Sequence, residues 1–365
     1  MNEADLYRVT PRTAKKFLLK CLYAGLAPFL QSSPGMGKSS IMRAIAAELN
    51  LKLIDHRLST SAPEDMSGLP QFVDGMARFA PFAELFPIKG TSLPTKTPAV
   101  WKDGEVGGVL LQAATYYDGW LIFLDEFNSA TKLVQAAAYK LVLDRQVGQH
   151  DLHECTMLAM AGNLSTDRAL VNPLGTAMQS RVIHIEMKVD FDEWLMDVAL
   201  PQKYDQRVIA YLSQHPGKLM DFRPDHQEKT FCCPRTWEFL ERLVHGDEVT
   251  DEFTPLYAGT ITSGTAASFV QFTKVYATMP KVEDILNDPD SHPMPQDLNT
   301  KWAVVTSLLE YVNKDTLDKL ATYVNRMDST FRILFFRSVM VNNKELRNHS
   351  AFTKAMLTLA QYLRG

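Results

Sequence analysis

The residues best suited to chemistry lie early, in Leu30-Gln31-Ser32-Ser33-Pro34-Gly35-Met36-Gly37-Lys38-Ser39-Ser40. A short apolar run, a glycine-bearing loop and the start of a helix follow one another there. The glycines let the backbone curl so that successive N–H groups point inward, and the helix N-terminus adds its partial positive charge. That combination suits an anion carrying several charges, with Ser33, Pro34, Gly35, Met36, Gly37, Lys38, Ser39 and Ser40 forming the wrap. The Lys38 ammonium can reach outer phosphates and the Ser39 hydroxyl can ligate Mg2+. Against the pattern of Gly, four residues, then Gly-Lys-Ser/Thr, one position departs: Ser32 stands where the first glycine is expected. Taken alone, the stretch also reads as a plain turn.

A second stretch, Trp120-Leu121-Ile122-Phe123-Leu124-Asp125-Glu126, decides between these readings. A continuous apolar run of this length is the pattern of a parallel strand buried on both faces. It ends in two carboxylates, at the sheet edge where open α/β sheets bind ligands. The pair could simply open the next helix. Beside a phosphate loop, Asp125 would hold the Mg2+ shell and Glu126 would polarise the water attacking a γ-phosphate. A third apolar run, Thr156 to Gly162, ends at Asn163, a turn former whose amide is also placed to orient that water.

The elements that must position these groups follow from periodicity. Thr10-Pro11 starts a helix with Phe17, Cys21 and Ala24 on one face and Gly25 at its end. Pro28 is awkward for a central strand, so pairing is expected from Phe29. Ile41, Ile45 and Leu49 give a helix after the loop, Asn50 stops it, and Leu51 to Leu58 is a second strand. The strand, loop, helix and strand make a right-handed βαβ unit. Residues 89–101 read as a mobile loop and 107–117 as a helix. Val134 to Leu143 is a helix, residues 144–153 a turn or hairpin, Pro173 to Gln179 a short helix, and Arg181 to Ile185 a fifth strand. His150 and His153 lack partners for a metal site and read as surface residues. Beyond residue 190 the pattern is helical, over 192–200, 204–214, 234–244 and 259–275. An Asp- and Pro-rich linker over 281–299 leads to further helices with apolar stripes.

Composition excludes several classes. The 365 residues suffice for two or three domains. A net charge of −4 does not indicate strong nonspecific affinity for nucleic acid. Four cysteines lack zinc-ligand and disulfide-scaffold spacing, and Cys232-Cys233 reads as two small buried residues. No run reaches the length of a membrane span and no secretory signal is visible, so a cytoplasmic location is expected.

Together, Ser-Pro-Gly-Met-Gly-Lys-Ser, then Leu-Asp-Glu-Phe-Asn-Ser-Ala over Leu124 to Ala130, Ala-Gly-Asn, and Ser180-Arg181 resemble the ordered motifs of AAA+ ATPases. The MoxR-like branch is the nearest likeness, and Leu58-Ser59-Thr60 through Gly68 also looks like it. The resemblance implies an α/β phosphate-loop core of five parallel strands flanked by helices over 1–190, a helical lid over 191–280 and a C-terminal helical region over 281–365. It implies an ATPase using ATP and Mg2+, working as a homo-hexameric ring that remodels a protein partner, one with a von Willebrand factor A domain being typical. It implies that Arg181 is the arginine finger reaching a neighbouring subunit, with Arg168 its competitor, and that Arg235, in Cys233-Pro234-Arg235-Thr236, faces the γ-phosphate. An AAA+ motor on nucleic acid and a nucleotide-gated scaffold with little turnover remain the alternatives.

Overall fold

A computed structural model describes residues 8–101, 110–167 and 171–363. The chain forms two compact units, Met1–Lys188 and Val189–Gly365. In the first, six parallel strands make one sheet: β1 (Arg8–Val9), β2 (Ala27–Gln31), β3 (Leu51–Arg57), β4 (Gly119–Asp125), β5 (Thr156–Gly162) and β6 (Val182–Met187). Their order is β1-β6-β2-β5-β4-β3. This is the expected parallel phosphate-loop core with one strand more than the five expected. The addition, β1, is two residues at the edge, too short to leave a periodic signal.

Hydrophobicity explains the order. All seven residues of β4 are buried, and it pairs with β5 on one side and β3 on the other. β2 lies between β6 and β5. Pro28 sits within β2, aligned with Ile183 of β6, whereas pairing with β5 begins at Phe29. The expected start at Phe29 therefore holds on one side only. β2 and β3 are joined by helix α2 (Lys38–Glu48) but are not neighbours, since β5 and β4 lie between them. Helix α1 (Pro11–Tyr23) buries Ala14, Leu18, Cys21 and Leu22. Of the expected face only Cys21 is inside; Phe17 is 46% exposed and Ala24 lies past the helix end. Helix α3 (Lys132–Asp144) starts at Thr131, whose hydroxyl accepts from the Val134 N–H, and stops where Arg145 turns left-handed (φ 57°).

Two expectations are corrected between β3 and β4. The loop over 89–101 contributes strands Thr95–Thr97 and Val100–Trp101, paired antiparallel with Thr115–Tyr116 and Leu110–Gln112. Over its described part, from 110 onward, the expected helix at 107–117 is absent; residues 102–109 lie outside the described residues. Thr and Tyr favour a pleated, half-exposed ladder, and that preference outweighs the helical spacing of a few apolar residues. The hairpin expected after α3 is present, Gln146–Val147 against His150–Asp151. His150 bonds the Phe79 carbonyl at 3.1 Å, and the His153 ring lies 5.0 Å from that of Trp120. Near β6, the helix expected from Pro173 begins only at Thr176.

In the second unit, one apolar cluster runs from Trp194 to Leu359. Residues 281–299 are not a bare linker: Val282–Asn287 is a helix whose Val282 and Ile285 are buried. The helical segment over 259–275 takes in parts of two helices, Thr254–Ile261 and Ser263–Thr273, separated at Thr262 (φ 78°). Phe191–Trp194 continues into a wider π turn at Leu195–Ala199. Cys232 and Cys233 are both buried. Among the described residues no helix is long and apolar enough to cross a membrane. Trp237, on the helix Pro234–Val244, is fully buried and donates to the Lys218 carbonyl at 2.7 Å. It packs within 5.7 Å of the Tyr211 ring and 6.3 Å of the Phe269 ring. Trp237→Ala is expected to cost about 3–5 kcal/mol, read as a lower denaturant midpoint for the helical unit; an unmoved midpoint would mean that the core does not depend on this ring.

Candidate phosphate-binding site

Parallel strands deliver their carboxyl ends to one edge, and β2, β4 and β5 end there side by side. β2 leads into the loop 32–37, where Gly35 and Gly37 take left-handed φ values of 75° and 81°. At Gly37 that conformation immediately precedes helix α2, so it aims the first-turn N–H groups of α2 back toward the loop. Ser32 is not among the left-handed residues, so the backbone does not require glycine there. The departure from the motif leaves the loop intact.

Four of these side chains lie together. Ser39 Oγ donates to Asp125 Oδ2 at 3.0 Å. The Lys38 ammonium lies 3.2 Å from Asn163 Oδ1 and 3.2 Å from the Ser32 carbonyl oxygen. Thus Lys38, Ser39, Asp125 and Asn163 form one connected set, drawn from two strand ends and the head of a helix. Asp125 is 6% exposed, and its Oδ1 accepts the Glu126 N–H at 2.8 Å. Ser39 Oγ and Asp125 Oδ2 are hard oxygen donors of the kind Mg2+ takes from protein when phosphates supply further ligands, so this pair fits that ion. Ser40 is exposed, beside Arg43.

Glu126 has the left-handed backbone of a chain turning sharply out of its strand (φ 53°). Ser59 donates its hydroxyl to Glu126 Oε2, and Arg57 Nε is 3.6 Å from Oε1. Both partners come from the end of β3 and the turn after it. Asp55, also on β3, has its carboxyl pushed up by burial and by the charge of Asp125. His56 is pushed down by burial and bonds Ser61 Oγ at 2.6 Å.

Sequence reasoning missed Arg57, Ser59 and Asn128. Asn128 is 3% exposed and braces Asn163 in both directions: its Nδ2 donates to the Asn163 carbonyl at 2.8 Å, and its Oδ1 accepts the Asn163 N–H at 3.1 Å. Its signal was a polar residue two places beyond the carboxylates, within the stretch Leu124 to Ala130 already set apart by motif likeness. For Ser59 the signal was its place in a loop already set apart by motif likeness.

Arg181 stands elsewhere in the first unit. Arg181 is exposed, donates to the Ala177 carbonyl at 2.9 Å, and immediately precedes β6. Because Val182 aligns with Ala27, it lies at the opposite end of β2 from the loop, roughly 15 Å away at the usual rise per residue. Arg168 lies outside the described residues. Arg235 is exposed in the first turn of its helix in the second unit.

Gly162, the last residue of β5, has no room for a side chain: a Cβ there would fall 2.2 Å from Asn128 Oδ1 and 2.9 Å from Phe29 Cζ. Gly162→Ala is expected to push Asn128 off Asn163 and to cost about 1–3 kcal/mol. Its denaturation midpoint, compared with that of the unaltered chain, checks this; equal midpoints would show that the strand end can shift freely.

The sequence matches no protein-family model and no curated protein. Among solved structures, the chain is similar to a mutant of RuvB from Thermotoga maritima at 15% identity and a TM-score of 0.33, covering 96% of this chain and 88% of that one. A putative ATPase from Cytophaga hutchinsonii gives 12% identity, a TM-score of 0.35 and coverage of 98% and 90%. A DNA polymerase III gamma subunit-related protein from Thermotoga maritima gives 11%, 0.30, and 98% and 92%. Superpositions this loose leave the site's own geometry as the basis for a functional reading.

Proposed function

We propose that the chain is a MoxR-like AAA+ ATPase that works as a homo-hexameric ring and uses ATP hydrolysis to remodel a protein partner. The observation that carries the ATPase reading is the joining of Lys38, Ser39, Asp125 and Asn163 at one sheet edge, with Ser39 Oγ 3.0 Å from Asp125 Oδ2. In this reading the left-handed loop and the head of α2 hold the phosphate chain, and Lys38 grips its outer oxygens. Ser39 and Asp125 would hold Mg2+, which would offset the charge on the phosphates. Glu126 accepts a proton from water as its oxygen bonds to the γ-phosphorus, and the bond from that phosphorus to ADP breaks. Ser59 and Arg57 hold the Glu126 carboxylate in place. Asn163, with its backbone fixed by Asn128, turns its amide toward the water.

The placement of Arg181 supports the ring reading. Its place at the far end of β2 suits an arginine that serves another subunit's site rather than its own. A role for Arg235 at the γ-phosphate rests on the family resemblance, in which residues 191–280 are a lid and 281–365 a C-terminal region. The partner is a protein, with a von Willebrand factor A domain the first candidate by family resemblance, and the setting is cytoplasmic. A net charge of −4 gives no support to a nucleic-acid track.

Lys38→Ala is expected to abolish ATP binding, while Glu126→Gln retains it and slows turnover by about 10²–10⁴. Filter binding and phosphate release with radiolabelled ATP measure both, and brisk hydrolysis by Glu126→Gln would sink the assigned role. Arg181→Ala is expected to lower turnover by about 10³–10⁵, with partial recovery when its subunits are mixed with Lys38→Ala subunits. No recovery in rings shown to exchange subunits counts against a shared site. Affinity capture with Glu126→Gln and ATP tests the partner, and failure to enrich any protein over the Lys38→Ala control counts against remodelling.

A further inference from the structure

Ser32, the one departure from the loop pattern, is fully buried at the foot of the loop. Its hydroxyl donates to the Ser33 carbonyl at 3.0 Å, which turns its lone pairs toward Lys38, 3.3 Å away. Around the Lys38 ammonium stand the Ser32 carbonyl oxygen at 3.2 Å, Ser32 Oγ at 3.3 Å, the Ser33 carbonyl oxygen at 3.5 Å and Asn163 Oδ1 at 3.2 Å. An ammonium has three protons. Its protons are thus outnumbered by acceptors from the protein itself, and every phosphate oxygen it grips must displace one of them.

The acceptors differ in how easily they yield. Three belong to the loop floor: two are main-chain oxygens and the third is on a short, buried side chain bonded to its neighbour. The fourth is a partly exposed amide whose backbone is braced by Asn128 but whose side chain can rotate. Phosphate therefore takes the place of the Asn163 amide and leaves the floor in place.

We propose that the Ser32 hydroxyl is a positioning group for Lys38: with the two floor carbonyls it shares two of the ammonium's protons from the buried side, so that the proton now facing Asn163 is presented to a phosphate oxygen. The proposal rests on the nucleotide-binding reading above. It also reverses what the motif alone would imply, since restoring the glycine of the general pattern removes the hydroxyl and so weakens binding.

The test uses the full chain and radiolabelled ATP and ADP in equilibrium dialysis, with steady-state KM and kcat alongside. Ser32→Ala and Ser32→Gly are expected to weaken both nucleotides by about 3- to 10-fold, the worth of one net hydrogen bond, with the loss in KM rather than kcat. Ser32→Thr, which keeps the hydroxyl, is expected to bind as the unaltered chain does. Unchanged or tighter binding by Ser32→Ala and Ser32→Gly overturns the proposal alone. So does a Ser32→Thr chain of normal melting temperature that binds as weakly as Ser32→Ala. Absence of ATP binding by the unaltered chain overturns the nucleotide reading, and the proposal with it.

Discussion

Much of the site depends on the point where β4 stops being apolar. A strand buried on both faces can carry a carboxylate only at its end, where a partner can be found for it. Asp125 occupies that end at 6% exposure, and its oxygens are taken by the Ser39 hydroxyl and by the next backbone N–H. The first of these ties β4 to the head of α2, and so to the loop before it. The second starts the turn that swings Glu126 out of the strand and toward β3. Moving Asp125 one residue inward would put a charge within the core; moving it one outward would break the link to Ser39.

The core strands were legible because burial on both faces leaves a simple signature. Trp120 to Leu124 and Met157 to Gly162 are unbroken apolar runs, and each ends where a polar residue begins. The loop residues were legible because glycine, lysine and serine at fixed spacing have few other uses. The ladders over 95–116 were not, since short exposed strands are set by their pairing partners more than by their own pattern. The inner face of α1 was misplaced for a related reason. Phe17 looks like a core residue by type, but Ala14, Leu18 and Leu22 lie on the side facing the sheet.

Support groups were the least visible. Asn128 and Ser59, in short turns, and Arg57, at a strand end, are ordinary polar residues until folding sets them against Asn163 and Glu126. Asn128 lies 35 positions from the residue it braces, and Ser59 lies 67 from the carboxylate it touches. A linear pattern can announce a group that does chemistry, because the chemistry limits the choice of residue. It rarely announces a group that steadies another, because many polar side chains would serve.

The left-handed backbone of Glu126 has a further consequence. Outside glycine and asparagine that conformation is uncomfortable, costing on the order of 1–2 kcal/mol for an L-residue. The chain thus keeps an acidic side chain at a corner where a smaller residue would relax the fold. With the role proposed for Glu126, stability and chemistry pull in opposite directions at this one position: replacing it with glycine would ease the turn while removing the carboxylate that the turn presents. The corner is best described as a local debt of the fold, secured by Ser59 and Arg57 on one side and Asp125 on the other.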